Sequence, residues 1–463
     1  MEKIIVEKLP CYIINIANQL RVAGFSCFLV GGPVRDILIG KDPDDFDLAT
    51  DASPEQIENI FPKSITTGAK FGTVIVLEKD SLDEHHSVEI TTFRSESEYV
   101  DGRWPSKVEF TTDLEKDLGR RDFTINAMAI NLQTLNDGVE DNDVIDLFGG
   151  MKDVNRRLIR AVGTPQDRME EDGLRAFRAC RLASELNYQI DEETFSAIKN
   201  SNGIAKRISI ERIRNEFVKL LMKSPKPSYG INLMKDCGLL ELFLPELLEG
   251  IGVEQSSQYH VEDVYNHILS TVDVSEDSVK LAALFHDIGK PRCLKKRHFY
   301  EHDIVSAEMT REIMKRMKFP KIEIERTASL VRWHMFIYAD WREGGVTANW
   351  SDSAIRRLIK NVGGQENIDD LIKLRIADAL SNKRSSFNPG EIRLLQARIA
   401  ELREQDMILR VEDLDITGKD LINLGFSKGP KIGEILTELL EEVIDNPELN
   451  DKEKLIKLAK SFK

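Results

Sequence analysis

Cysteine is scarce in this chain, five residues among 463, and Cys11, Cys27, Cys180, Cys237 and Cys293 are scattered without a Cys-x-x-Cys pair. That usage excludes a disulfide-stapled secreted scaffold, argues against structural zinc and predicts reduced thiols. Any apolar run long enough to cross a bilayer is missing, and the opening MEKIIVEKLP lacks the apolar segment and cleavage site of a secretory leader. The expectation is a cytoplasmic protein with no membrane partner. Positive net charge is absent too: 79 acidic against 64 basic residues give a formal charge of −15. Charge as a whole therefore opposes nonspecific nucleic-acid binding, so any RNA site has to be local. What is present is ordinary globular material, 41% hydrophobic, and enough of it for roughly two to four domains.

The most informative stretch is FLVGGPVRDILIGKDPDDFDLAT, from Phe28 to Thr50. Phe28, Leu29 and Val30 read as a buried strand that breaks at Gly31 and Gly32, where backbone can approach a phosphate without a Cβ in the way. Val34 to Ile39 reads as a turn or two of helix, with Arg35 near its start. Asp45 and Asp47 follow at a spacing of two, which on a strand puts both carboxylates on one face. Two anions that close repel unless a cation sits between them, and oxygen ligands beside a polyphosphate suit Mg²⁺. A solvated Asp-x-Asp turn is the plainer reading of that pair alone, and a lone Gly-Gly is equally weak. Their order within one short segment is what points to phosphoryl transfer.

GGPVRD followed by DFD resembles the head of the class II tRNA nucleotidyltransferases, the CCA-adding enzymes and their bacterial poly(A) polymerase relatives, within the polymerase-β-like superfamily. The resemblance implies that Gly32 and Arg35 hold the incoming triphosphate and that Asp45 and Asp47 are the catalytic, Mg²⁺-binding carboxylates. Further along, Arg120 and Arg121 are candidate phosphate contacts, and Asp122 could orient one of them or bind a sugar hydroxyl. With the FTINA that follows, RRD matches the family's second motif, which implies nucleotide roles for Arg121 and Asp122 and includes Asn126.

Between these motifs the chain alternates helix and strand. An amphipathic helix precedes residue 28, Ser53 opens another, and Lys70–Leu77 and Val88–Phe93 read as strands, a pattern of a small α+β palm. Glu89 on the last of these is a candidate third carboxylate, with a strand Glu paired to Arg94 as the alternative. SESEYVDGRWPSKVEF, polar and holding Gly102 and Pro105, reads as a mobile loop. In the resembling family a full-length loop here accompanies completion of the terminal adenosine.

EDGLRAFRACRL, residues 171 to 182, reads as strongly helical apart from Gly173 and places Asp172 and Arg175 side by side, on the plain view an exposed ion pair. Base edges suggest more. Cytosine and adenine each present an amino donor beside a ring-nitrogen acceptor, whereas uracil and guanine present a carbonyl beside an N–H. A fixed carboxylate and guanidinium would accept the first two bases and leave buried groups unpaired against the others. The resemblance supplies the placement: EDxxR matches the family's nucleotide-selecting motif, and Arg178 and Arg181 match further nucleotide-binding arginines. At three-residue spacing these arginines spiral around the helix by about sixty degrees per step. Lys206 to Lys223, with six basic and two acidic residues, offers local positive charge for an RNA stem.

Five of the eight histidines fall between 267 and 334, among them His267, His286 in LAALFHDIGK, His302 and His334. Neutral imidazoles with carboxylates such as Asp287 and Asp340 form the ligand set of first-row divalent metals. This pattern resembles the HD superfamily of metal phosphohydrolases, which implies His267, His286 and Asp287 as core ligands and a divalent transition metal as a second cofactor. Beyond about 345 the chain is helical and charged, and Gly429-Pro430 with Gly433 reads as a turn before a helix, with free N–H groups for an RNA phosphate.

The expected class is thus α+β: a small mixed-sheet nucleotidyltransferase palm (1–150), then a mostly helical neck (151–225), body with the HD site (226–345) and tRNA-binding tail (346–463). The expected activity is untemplated addition of CCA to the 3′ end of tRNA from CTP and ATP. Addition of A alone, poly(A) synthesis, or an HD-type hydrolase whose head only binds nucleotide are the alternatives.

Overall fold

The computed structural model describes residues 9–80, 83–100, 104–133, 143–255, 262–295, 298–336, 351–382, 389–404 and 409–462. The chain forms two compact units, Met1–Phe243 and Leu244–Lys463.

The first unit begins with helix α1 (Cys11–Val22), whose Ile13, Ile16, Ala17 and Leu20 are buried at helical spacing. Strand β1 (Phe28–Val30), helix α2 (Gly32–Leu38), strand β2 (Asp47–Thr50) and helix α3 (Pro54–Ile60) follow. The start of α3 is fixed by a reciprocal capping box between Ser53 and Gln56. Strands β3 (Ser64–Ile65), β4 (Thr73–Lys79), β5 (His85–Thr92), β6 (Arg94–Val100) and β7 (Trp104–Phe110) come next, and after helix α4 (Leu114–Gly119), strands β8 (Met128–Asn131) and β9 (Val144–Asp146).

Seven strands make one sheet in the order β3-β4-β5-β2-β1-β8-β9. Only β2 and β5 pair in parallel, with Asp47 in register with Glu89; the other pairings are antiparallel, so the sheet is mixed as expected. Val30, Ala49, Phe93, Leu118 and Ala129 form a core against this sheet.

The segment expected as a polar loop is instead an antiparallel hairpin: β6 pairs β7 from Arg94 opposite Phe110 to Val100 opposite Trp104. Polar Ser, Glu and Lys interspersed in sequence with Tyr, Val, Trp and Phe suit a two-stranded ribbon, and Pro105 is tolerated because both strands are edges. Residues 101–103 at its tip, like Asp340 farther on, lie outside the described residues.

The remainder of the unit is mostly helical, with one short parallel pair (Leu158–Ile159 and Gln189–Ile190): α5 (Gly150–Arg156), α6 (Pro165–Glu171), α7 (Leu174–Leu186), α8 (Glu192–Asn200), α9 (Asn202–Ala205), α10 (Ile210–Lys223) and α11 (Pro227–Asp236). Phe177 of α7 and Phe217 of α10 meet Phe243 edge to face at 5.9 and 5.0 Å between ring centroids. The single helix expected over 171–182 is broken: α6 ends at Glu171, Asp172 is extended (φ −142°, ψ 107°), and α7 starts at Leu174. Gly173 makes the joint possible, since a Cβ there would lie 2.9 Å from the Ala205 backbone.

In the second unit, helices Val264–Val274, Lys280–Phe285, His302–Arg316, Lys321–Trp333 and Gln365–Ser381 carry a histidine-rich centre. Farther along, Pro430–Asp445 packs Leu439, Leu440 and Val443 with Leu455 and Ala459 of Lys452–Ser461. Gly429 immediately precedes Pro430–Asp445, but Gly433 lies inside that helix and not before it. Among the described residues no helix is long and apolar enough to cross a membrane.

Candidate active site

In the first unit the edges of β1, β2 and β5 meet α7 and α10 around a cleft of about 580 Å³. Its walls include six arginines, Arg94, Arg120, Arg121, Arg175, Arg178 and Arg212, against four acids, Asp47, Glu89, Asp122 and Asp172. The local cationic surface that the net charge conceals is therefore here, concentrated in one concavity.

The strand end at Gly31 shapes its floor. Gly31 has φ 82°, and a Cβ there would lie 2.9 Å from Arg121 Nη1. Only glycine fits that conformation beside the guanidinium. Gly32, the glycine singled out from the sequence, has 3.6 Å of clearance to Arg35 and opens α2. Arg35 is buried behind the cleft lining, donating to Asn126 Oδ1 at 2.8 Å and to Asp36 at 2.7 and 2.9 Å. Asn126 in turn donates to Asp122 Oδ1 at 3.2 Å, and Asp122 pairs with Arg178 at 2.7 Å. A buried polar relay thus joins the glycine turn to α7.

Asp47 heads β2, whereas Asp45 lies exposed in the bend before it, so the shared-strand-face argument does not describe the pair. The two still feel each other. Asp47 is raised from the usual carboxylate range chiefly by burial, with the charge of Asp45 adding and Arg121 and Arg178 opposing. Glu89, its register partner, is raised by burial and then by the charges of Asp47 and Asp45. Asp47 and Glu89, both raised and both in the field of Asp45, offer hard oxygen donors of the kind that fit Mg²⁺.

Asp117, absent from the sequence reading, is fully buried and holds two of the arginines: Arg120 at 2.7 Å and Arg121 at 3.2 Å. Burial alone would raise its carboxyl, but the two guanidinium groups outweigh it and hold Asp117 below the usual range. Burial likewise works against Asp122, whose carboxyl is nevertheless lowered by Arg178 and Arg175.

Asp172 and Arg175 both line the cleft, but not as a pair. Arg175 bonds Glu171 and donates to the carbonyls of Arg168 and Arg120, each at 3.0 Å, while Asp172 pairs with Arg212 of α10 at 2.8 Å. The broken helix explains this: Asp172, extended in the joint, reaches Arg212, and Arg175 takes Glu171 at the end of α6. Arg178 faces the cleft, and Arg181 does not, being held by Glu216 and Glu185 at 2.6 Å each. Two steps of the helical spiral have carried it off the wall. Of the residues picked from sequence, the structure gathers Asp47, Glu89, Arg121, Asp122, Asp172, Arg175 and Arg178, and leaves Gly32, Arg35, Asp45 and Arg181 off the lining.

The second unit holds a different cluster, buried throughout. His267 Nε2 lies 3.4 Å from Asp287 and 3.1 Å from Asp378, and His286 Nε2 lies 3.2 Å from Asp287. His302 and His334 approach the other oxygen of Asp287 at 3.4 and 3.7 Å. The Nδ1 atoms of His286, His302 and His334 lie 2.7, 2.8 and 2.6 Å from the carbonyls of Ala283, Phe299 and Val331. Protons on Nδ1 leave the Nε2 lone pairs facing inward. Nε2 of His302, Nε2 of His334 and Oδ1 of Asp287 are buried without a hydrogen-bond partner. Lone pairs converging in a buried site fit a cation. Burial works to lower His267, yet Asp287 and Asp378 raise it; those two carboxyls sit well below the usual range despite burial. The sequence named His267, His286 and Asp287; Asp378 arrives from Gln365–Ser381, beyond the segment assigned to this site.

Residues 27–160 match the Poly A polymerase head domain family, 187–250 the family described as Probable RNA and SrmB-binding site of polymerase A, and 302–459 tRNA nucleotidyltransferase domain 2. Over 99% of its length the chain is 32% identical to the CCA-adding enzyme of Ligilactobacillus salivarius, covering 98% of that protein. It is 32% identical over 97% to the CCA-adding enzyme of Streptococcus gordonii, covering 96% of it. Among solved structures, the Bacillus stearothermophilus CCA-adding enzyme in complex with CTP superposes with a TM-score of 0.69 at 28% identity, covering 97% of this chain and 96% of that one. The Thermotoga maritima CCA-adding enzyme complexed with tRNA shares the fold, with a TM-score of 0.52 at 20% identity and coverage of 97% and 95%.

Proposed function

Because this chain belongs to the CCA-adding enzyme family of tRNA nucleotidyltransferases, we propose that the cleft of the first unit adds C, C and A to the 3′ end of tRNA from CTP and ATP, releasing pyrophosphate, in the cytoplasm. The observation that carries the site assignment is the meeting of Asp47 and Glu89, on adjacent strands, with an arginine wall that also contains Asp172 and Arg175.

Nucleotidyltransferases of this family generally use a divalent metal. Asp45 and Asp47, with Glu89 beside them, would hold Mg²⁺, which when bound supplies Lewis-acid activation of the RNA 3′-hydroxyl and neutralises charge on the leaving pyrophosphate. The chain's own groups do the rest. Arg121 and Arg178 face the triphosphate, with Arg121 held by Asp117 and Arg178 by Asp122. Gly32 and Arg35 contribute at the turn below, Arg35 through Asn126. Arg181 braces α7 against Glu216 of α10. Asp172 accepts the amino group of cytosine or adenine, and Arg175 donates to the neighbouring ring nitrogen. In this division 1–150 is the catalytic head, 151–225 the base-selecting neck, 226–345 the body and 346–463 a tail that holds tRNA.

Transcripts ending before CC, after CC and after CCA, incubated with labelled CTP or ATP, test the reading. C on the first, A on the second and neither on the third is expected. A on the second only would mean A-addition alone, and extension of the third would mean poly(A) synthesis.

A second reading concerns the other unit. His267, His286 and Asp287 would hold a divalent transition metal in an HD-type phosphohydrolase centre, a reading supported by the partnerless His302, His334 and Asp287 atoms around them. Metal analysis of the purified protein and phosphate release from nucleotides and cyclic phosphates test it; a metal-free protein without hydrolysis would sink it.

A further inference from the structure

We propose that Arg212 is a positioning residue for base selection: it holds Asp172 so that one acceptor of known direction faces the incoming base. The proposal rests on the reading of Asp172 as a base-reading group. Asp172 sits in the non-helical joint between α6 and α7, where its backbone is extended and no helical turn constrains the side chain. Three contacts fix it instead. Arg212 Nη2 donates to Oδ2 at 2.8 Å, Nη1 lies 3.4 Å from Oδ1, and the Leu174 N–H donates to Oδ1 at 3.0 Å.

An ionised carboxylate offers about four acceptor sites. Three are taken within the protein, so what remains is a single site on Oδ2. That is the complement of one amino group. Both Asp172 and Arg212 line the cleft, and the arginine is itself anchored in α10, which is tied to α7 by the Arg181–Glu216 ion pair at 2.6 Å. Arg175 is restrained in the same manner from another direction, with N–H groups spent on Glu171 and on the Arg168 and Arg120 carbonyls. Its remaining donors are left for a ring nitrogen. The two readers are therefore held by separate frames, Asp172 by the neck helix and Arg175 by α6 and the segment after α4. A reader free to rotate would accept an amino group or swing aside for a carbonyl. A restrained one rejects uracil and guanine because the mismatch cannot relax.

The test is the CTP:UTP ratio of kcat/KM on a transcript ending before CC, for wild type, Arg212→Ala, Arg212→Gln, Arg212→Lys, Asp172→Ala and the Asp172→Ala/Arg212→Ala double variant. A purely structural role for Arg212 would lower both substrates together and leave the ratio alone. The proposal expects Arg212→Ala and Arg212→Gln to cut the ratio roughly tenfold or more, the usual scale for a charge-assisted bond. Arg212→Lys, able to hold one oxygen, should restore part of it. In the Asp172→Ala background, removal of Arg212 should change the ratio no further. An unchanged ratio in folded Arg212→Gln beside a collapsed ratio in Asp172→Ala overturns the role of Arg212 alone. An unchanged ratio in Asp172→Ala overturns the reading of Asp172 and this proposal with it.

Discussion

The arginine cleft of the first unit and the histidine centre of the second solve opposite electrostatic problems. The cleft is a concavity of about 580 Å³ with six guanidinium groups around a few carboxylates, two of which are pushed upward in pKa. Its excess of guanidinium groups suits a large polyanion. The histidine centre is buried, and its carboxylates Asp287 and Asp378 are pushed strongly downward. Its converging imidazole and carboxylate atoms suit one small positive charge. Residue types alone do not separate these cases; the sign and direction of the surrounding groups do.

The largest effect that would break the comparison is at Asp47. Asp47→Ala should lower transfer to tRNA about a thousandfold or more, since a metal-holding carboxylate supplies several kcal/mol of transition-state stabilisation. Its fold should be no less stable at neutral pH. The sign follows from the raised pKa: such a carboxyl favours folding while protonated, and that contribution is lost as pH rises through the folded value. Thermal melts at pH 7 with incorporation assays check both halves, and near-normal transfer would remove Asp47 from catalysis.

Asp117→Ala probes the opposite sign. Removing one partner of a buried ion pair costs about 3 to 5 kcal/mol. Because Asp117 is held below the usual carboxylate range, its stabilisation is complete above the ordinary aspartate value and is lost as pH falls through the folded value. Denaturant titrations should show a wide gap between wild type and variant at pH 7 that narrows on acidification; a gap independent of pH would contradict the assignment.

At the other centre, His286→Ala should reduce bound transition metal about tenfold or more while leaving CCA addition within about twofold. Loss of both together would mean the two regions are not separate in function. The smallest effect is expected at Arg181. With its guanidinium spent on Glu216 and Glu185, Arg181→Ala should cost about 1 to 2 kcal/mol of stability. It should leave the KM for CTP within about twofold, and a large KM change would return it to the nucleotide.

Much of this was legible in the sequence because the signals are local. Phe28–Val30 before Gly31, the Ser53–Gln56 box and the alternation of β4 and β5 each specify their own geometry over a few residues. Composition misled at 95–110, where polarity reads as loop although the alternation suits a hairpin. At Asp172 the three-residue spacing reads as a helical pair because the break at Gly173 is enforced by Ala205, some thirty positions away, and the pairing of Asp172 with Arg212 is supplied by α10. Asp117 carries no motif at all, and its role exists only once two arginines close over it. Asp378 was invisible for the same reason, reaching His267 across more than a hundred residues of chain.

Everything rests on side chains, with no complementary strand, choosing the monomer. The direct measurement is single-nucleotide incorporation from each of the four triphosphates onto a transcript lacking CCA, by wild type and by Asp172→Ala and Arg175→Ala. Strong preference for CTP in the wild type, with UTP and GTP admitted by either variant at the expense of that preference, is the predicted result. Variants that still exclude UTP and GTP as the wild type does would contradict it.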